Sequence, residues 1–306
     1  MEKDFHYHLT YAAAKLTGLK EPDVVAYACQ FVDDNNEGQF SIDGTAEEFP
    51  EKLKAGGGYY YPVMTQSLSP KSLDSYVQKF VYVPFHFLPG NNNILIKGKK
   101  NPLSTTPNSD NAKIMVQKAL ESSNPYRIGI ALHTFADTWS HQNFTGLREE
   151  WNAIYPWYNV FKSLVPNIGH AEAGHSPDVI SEKWTDYRLQ SGSRNIDNRQ
   201  RALDAIETIY QILQNATSSG TPWKDIKSDF VKIIETEDYD SRIKATSELV
   251  GGTPAYSKDE WIDAALEKKD NEEVSMKSDF LESHWYRFHQ ASKAHLALVL
   301  DLIKGI

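Results

Sequence analysis

Residues 124–146, NPYRIGIALHTFADTWSHQNFTG, carry two periodic patterns at once. Asn124 and Pro125 suit the N-cap and first turn of a helix, and Gly146 lies past its end. Ile128, Leu132, Phe135 and Trp139 recur at helical spacing, with Ile130, Ala131 and Ala136 widening the apolar surface. A helix this apolar belongs at the centre of a domain. Yet His133, Asp137 and His141 follow one another at intervals of four, within a sector of about 80°. One face packs while the other presents imidazole, carboxylate and imidazole. Burying these groups without partners is costly, so something must satisfy them. Nitrogen and oxygen donors of this kind suit zinc, iron or manganese.

Outward from this helix the chain reads as all-α. An alanine-rich helix is expected over residues 7–17, ended by Gly18, and a second from Pro22 to Val32, ended by Asp33-Asp34-Asn35-Asn36. Residues 35–70 look irregular, the run GGGYYYP among them. The segment KFVYVPFHF reads as helix or as short strand, and residues 89–112 as a long loop or small hairpin. Residues 152–180 are rich in aromatics, Pro and Gly. An amphipathic helix is expected over 197–216, on Ala202, Leu203, Ile206, Ile209, Tyr210 and Leu213. Residues 217–270 are polar with short helical pieces, as in a helical insertion, and 273–304 read as a closing helix. Without repeats or a linker, residues 1–306 read as a single multi-helix domain with long irregular loops.

Composition narrows the chemistry. Of 306 residues, 40% are hydrophobic and 24% charged, which excludes global disorder and gives enough chain for a core without staples. Cys29 is the only cysteine, so disulfide frameworks, thiolate zinc sites and iron–sulfur clusters are excluded. Metal, if bound, must be held by some of the ten histidines and 41 acidic residues. The opening MEKDFHYHLT has no apolar core of a signal peptide, and no apolar stretch is long enough to span a membrane, so a cytoplasmic location is expected. With a net charge of -9 and only Lys97, Lys99 and Lys100 clustered, no stable nucleic-acid complex is expected. There is no phosphate-binding GxxxxGK[ST] loop, no GxGxxG and no GxSxG.

One helix cannot complete a coordination sphere, and donors elsewhere are candidates. His6 would sit at the mouth of the first helix and His8 on its first turn. Asp33 and Asp34 end an apolar helix, where carboxylates oppose the macrodipole unless a cation lies nearby. His86 in PFHFLPG is either a ligand or a packed turn histidine. GHAEAGHSPD offers His170, His175 and Asp178, with Glu172 close by. His284, His289 and His295 lack mutual register and read as packing residues. Trp139, Trp151 and Trp157 read as core or pocket wall.

The order of these residues resembles the zinc-dependent phospholipase C and single-strand nuclease superfamily. The resemblance implies an all-helical fold holding three zinc ions. Its ligand positions would fall on His6 or His8, Asp33 or Asp34, His86, His133 with Asp137, His141, and His170 or His175 with Asp178. More closely, DFHYHLTYAAAKL, AYACQFVDDN, PFHFLPG, GIALHTFADTWSHQNFTG and GHAEAGHSPD are similar to an uncharacterised bacterial family over residues 1–215. The superfamily adds a free α-amino ligand exposed by signal cleavage. Here no leader is read, the gap from Asp137 to His141 is shorter, and Gly174 follows His170 where a carboxylate is expected. Two metals, or three with altered ligands, are therefore expected.

On this reading the chain is a zinc-dependent phosphoester hydrolase, with iron or manganese as alternatives. Asp137, or one of Asp33 and Asp34, would bridge two metals about 3.5–4 Å apart, and Asp33 or Asp34 would be general base if not a ligand. The substrate would be a phospholipid head group, a nucleotide or another small phosphodiester. Two rivals are a di-iron-type redox protein, whose usual Glu-x-x-His pairs are missing, and a non-enzymatic helical binding protein.

Overall fold

A computed structural model describes residues 1–36, 60–67, 70–90, 93–96, 98–155, 166–268 and 274–305. Gly56–Gly58 of the glycine-tyrosine run, Lys97 and Trp157 lie outside the described residues. The molecule is mostly helical, with two antiparallel two-stranded ribbons. Lys183–Thr185 pairs with Asn195–Asp197, and Leu266–Lys268 with Val274–Met276. No helix among the described residues is long and apolar enough to cross a membrane.

The central helix, Pro125–Ser140, starts where its caps require: the Asn124 side chain accepts from the Arg127 amide. Every residue from Ile128 to Ser140 is buried. Its main partner is the Pro22–Asp34 helix, which the two cross at Gly129. A Cβ there would lie 2.3 Å from the Val25 carbonyl oxygen and 2.9 Å from the Cys29 nitrogen, so only glycine lets these backbones meet.

The N-terminal helix has an irregular start. Asp4–Leu9 is wound as π-helix and continues as α-helix over Thr10–Leu16, ending at Gly18 with φ +70°. π-Turns widen the spacing of neighbouring side chains, and here they bury both His6 and His8. KFVYVPFHF resolves as helix rather than strand: Ser75–Val77, Gln78–Tyr82 and Val83–Phe85 run on as successive α, π and α turns. Pro84 falls inside this run, where its missing N–H leaves one helical hydrogen bond unmade. The loop expected over 89–112 gives way at Asp110 to a helix, Asp110–Glu121, capped by Ser109. The closing helix starts later than expected, at His284 and not 273, because Ser283 caps it and Val274–Met276 pairs as strand.

Residues 217–270 form the helices Trp223–Glu235, Tyr239–Leu249 and Glu260–Ala265. Phe230 and Trp261 are buried in the same apolar cluster as Phe5, Phe31, Phe135 and Phe288. Arg242 closes a buried ion pair with Asp4 at 2.7 Å, and the Tyr7 hydroxyl donates to the Pro254 carbonyl at 3.1 Å. These contacts clamp the N-terminal turn against the core.

Candidate metal centre

Asp137 is the hub. It lies in the fourth turn of the central helix, 1% exposed. Its Oδ1 meets the Met1 amino group at 2.7 Å and His6 Nε2 at 3.1 Å. Its Oδ2 meets His86 Nδ1 at 3.1 Å, His133 Nε2 at 3.2 Å and His141 Nδ1 at 3.6 Å. His133 comes from one turn earlier on the same helix, and His86 from the end of the Val83–Phe85 turn.

Each imidazole is oriented from behind. His133 Nδ1 donates to the Cys29 carbonyl at 2.8 Å, and His86 Nε2 to the Thr65 carbonyl at 2.8 Å. His141 Nδ1 donates to the His86 carbonyl at 2.8 Å, and His170 Nδ1 to the Gly174 carbonyl at 2.9 Å. A carbonyl only accepts, so each of these nitrogens carries the proton. In the neutral ring the other nitrogen then presents a lone pair inward. His133 Nε2 and His86 Nδ1 face each other across 3.2 Å, with Asp33 Oδ1 3.6 Å from the first and 3.8 Å from the second. Electron pairs so converged repel unless a proton or a cation lies among them. Outer N–H groups tied to carbonyls, with the inner nitrogen free, are the usual support of metal-binding histidines.

Asp33, His86 and His133 therefore form one donor group, and His141, His170 and Asp178 a second. In the second, Asp178 Oδ1 lies 2.9 Å from His141 Nε2 and its Oδ2 3.2 Å from His170 Nε2. A third grouping places Cys29 with His6 and His133. Its sulfur is 3.8 Å from His6 Nδ1, and burial pushes the thiol well above its ordinary range.

The electrostatics follow from burial opposed by close charges. Burial raises the carboxyls, yet His141, the Met1 amine and His133 hold Asp137 well below the usual carboxylate range. The amine and His170 do the same for Asp178. Asp33 goes the other way, because burial outweighs His133 and His86. The amine is pushed up to about 11: burial opposes its charge, but Asp137 and Asp178 overcome it. Burial takes His6 well below its ordinary value and His170 down to about 4.

Several sequence-level candidates land elsewhere. The three residues of the central helix do not form one row toward one ion. His141 is the C-cap, with φ -89° and ψ 15°, and turns its Nε2 toward Asp178. Asp34 points away from the histidines and accepts from Gln30 at 3.1 Å and the Tyr256 hydroxyl at 2.6 Å. His175 is exposed on the cavity wall, while Glu172 accepts the Ile154 and Tyr155 amides. His8 packs on Tyr7 with its Nδ1 unpartnered, apart from the other histidines. Of the closing-helix histidines, His295 bonds the Pro84 carbonyl, His289 accepts the Val63 amide and His284 meets the Tyr126 hydroxyl. The α-amino group, set aside at the level of sequence, lies on Asp137, and the supporting carbonyls were not foreseen. Every residue has a carbonyl, so no side-chain pattern announces them.

Both donor groups open onto a cavity of about 1130 Å³, whose wall also carries Lys3, Lys258 and Tyr256. One protein-family model matches the chain, that of a family of unknown function (DUF6765), over residues 1–303. The match takes in the final third, beyond the motifs that end near residue 215. No curated protein and no solved structure matches.

Proposed function

The chain belongs to the DUF6765 family, whose function is unknown, and from its centre we propose that it is a metal-dependent hydrolase of phosphoester bonds. One observation carries this reading: paired imidazole lone pairs and carboxylates converge within 3.2–3.8 Å, each ring locked from behind. The order of donors, resembling the zinc phospholipase C and nuclease superfamily, supports it further.

In this reading Asp33, His86 and His133 hold one cation, and His141, His170 and Asp178 a second. Asp137, whose oxygens face both groups and His6, lies between them. His6, whose Nε2 meets Asp137 Oδ1 at 3.1 Å, offers a further donor beside Asp137. Zinc, or iron or manganese in its place, supplies polarisation of a phosphoryl oxygen and a nucleophilic water at neutral pH. The chain's own residues do the rest. His6 and His133, fully buried and stacked at 3.9 Å, keep the inner wall dry and rigid. Asp34, held by Tyr256 and Gln30 at the cavity wall, accepts a proton there. Lys3 and Lys258 give that wall positive charge to draw an anionic ester. The volume admits a phospholipid head group, a nucleotide or another small phosphodiester.

The test is elemental analysis of protein purified without added metal, with hydrolysis of bis(p-nitrophenyl) phosphate. Two or more colourless cations per chain and release of nitrophenol are expected. Asp137→Asn should lower both, activity by at least about a hundredfold. A metal-free protein whose melting ignores chelator would overturn the proposal, and iron with a visible chromophore would redirect it to oxygen chemistry.

A further inference from the structure

A second cavity, of about 540 Å³, shares no lining residue with the first. It opens beside the C-terminal end of the central helix, against the Lys183–Thr185 and Asn195–Asp197 ribbon. Gln142, Gln190, Asn195, Gln200 and Arg201 are on its polar wall, together with the Asp197 carboxylate, which Lys183 neutralises at 2.8 Å.

Arg201 is the unusual member. It rises from the Asn198–Thr217 helix, half-buried, and one Nη donates to the Ser140 carbonyl at 3.2 Å. Its guanidinium lies 5.8 Å from the Trp184 ring. A guanidinium offers five donors and can use two of them in parallel on one anion. Among the described residues no carboxylate pairs with it. The neighbouring acids are engaged elsewhere. Asp186 takes Arg188 through both oxygens, at 2.9 and 2.7 Å. Asp197 takes Lys183 at 2.8 Å and the Arg199 amide at 3.1 Å, and Asp204 takes Gln200 at 2.7 Å. Burial pulls the Arg201 guanidinium down to about 10, a shift that the nearby Asp186 carboxylate offsets only in part.

We propose that this cavity binds a phosphate-type oxyanion, with Arg201 as its charged fork. A tetrahedral ion suits it better than a flat carboxylate. The polar groups stand on several elements: the turn after His141, the loop at 190–193, the ribbon and the helix. They can therefore meet oxygens pointing in different directions. The site stands independently of the hydrolase reading, and its anion is either free phosphate or the phosphoryl group of a larger molecule.

Selenate, a tetrahedral oxyanion with a strong anomalous signal, tests the proposal in crystals of the metal-loaded protein. A peak at hydrogen-bond distance from the Arg201 guanidinium is expected, whether or not another appears among the histidines. In solution, sulfate at millimolar concentration should raise the melting temperature. Arg201→Gln should weaken that binding by about 30-fold or more. Should that variant fold poorly, the exposed Asn195→Asp places a negative charge on the wall and should weaken sulfate similarly. No peak at Arg201, or sulfate affinity unchanged in the folded variants, would overturn the site. Inorganic phosphate and a phosphorylated alcohol, titrated in parallel, distinguish the two sources by which binds more tightly.

Discussion

At the scale of single residues, function rests on which atom of each side chain is left free. Asp33 and Asp34 are adjacent, and the sequence offers no way to choose between them. The structure separates them: Asp33 Oδ1 comes within 3.6 Å of His133, whereas Asp34 is taken up by Tyr256 and Gln30. Asp33→Asn should therefore cost the cation of the His86–His133 group, read as a fall in metal per chain by elemental analysis. Asp34→Asn should keep its metal but lose the proton acceptor, lowering hydrolysis, while the weakened Tyr256 tether costs about 1 kcal/mol in a denaturation midpoint. Equal metal loss in both variants would contradict this assignment. His86 and His133 stood out because each interrupts an apolar pattern. The choice of nitrogen did not, since it depends on carbonyls of Cys29, Thr65, His86 and Gly174 that come from distant loops and turns.

At the scale of elements, the site is set by one crossing. Gly129 lets the Pro22–Asp34 helix approach closely enough for the Cys29 carbonyl to reach His133, four residues along. Gly129→Ala would press a methyl group onto the Val25 carbonyl and the Ala28 Cβ. It should cost about 1–3 kcal/mol by chemical denaturation and loosen metal binding as well. An alanine variant as stable as the parent would show that the helices can part without penalty. The central helix was readable to within a turn because its start has both a cap and a proline. Asp110–Glu121 was missed because its exposed lysines and glutamate mask a narrow apolar stripe on Ala112, Met115, Val116 and Ala119. KFVYVPFHF fitted either period, and only packing decided. The closing helix was read too long because the polar residues before it resemble a solvated helix face, although Val274–Met276 among them pairs as strand.

At the scale of the whole molecule, buried neutral histidines make stability depend on pH. Burial pushes His289 down to about 3 and His295 to about 4, from 6.5. Between those values the unfolded chain binds protons that the native chain refuses. Stability is thus full above pH 6.5 and falls as pH drops toward 4. At about pH 5 each histidine should cost about 2 kcal/mol. His289→Asn, whose side-chain oxygen can accept the Val63 amide in place of Nδ1, should flatten the slope of urea midpoint against pH. An unchanged slope would remove His289 from the account. The mostly helical class was legible from periodicity. The role of residues 217–270 was not, because their polar sequence hides the few apolar side chains that reach the core.

The spread of the donors along the chain has a consequence for biosynthesis. They run from His6 to Asp178, and the turn that carries the first of them is fastened by Arg242. A ribosome must therefore release the chain past residue 242 before a pocket for an ion can close. Under the proposed reading, loading would wait for that fastening and draw on whatever cation the surrounding compartment then offers.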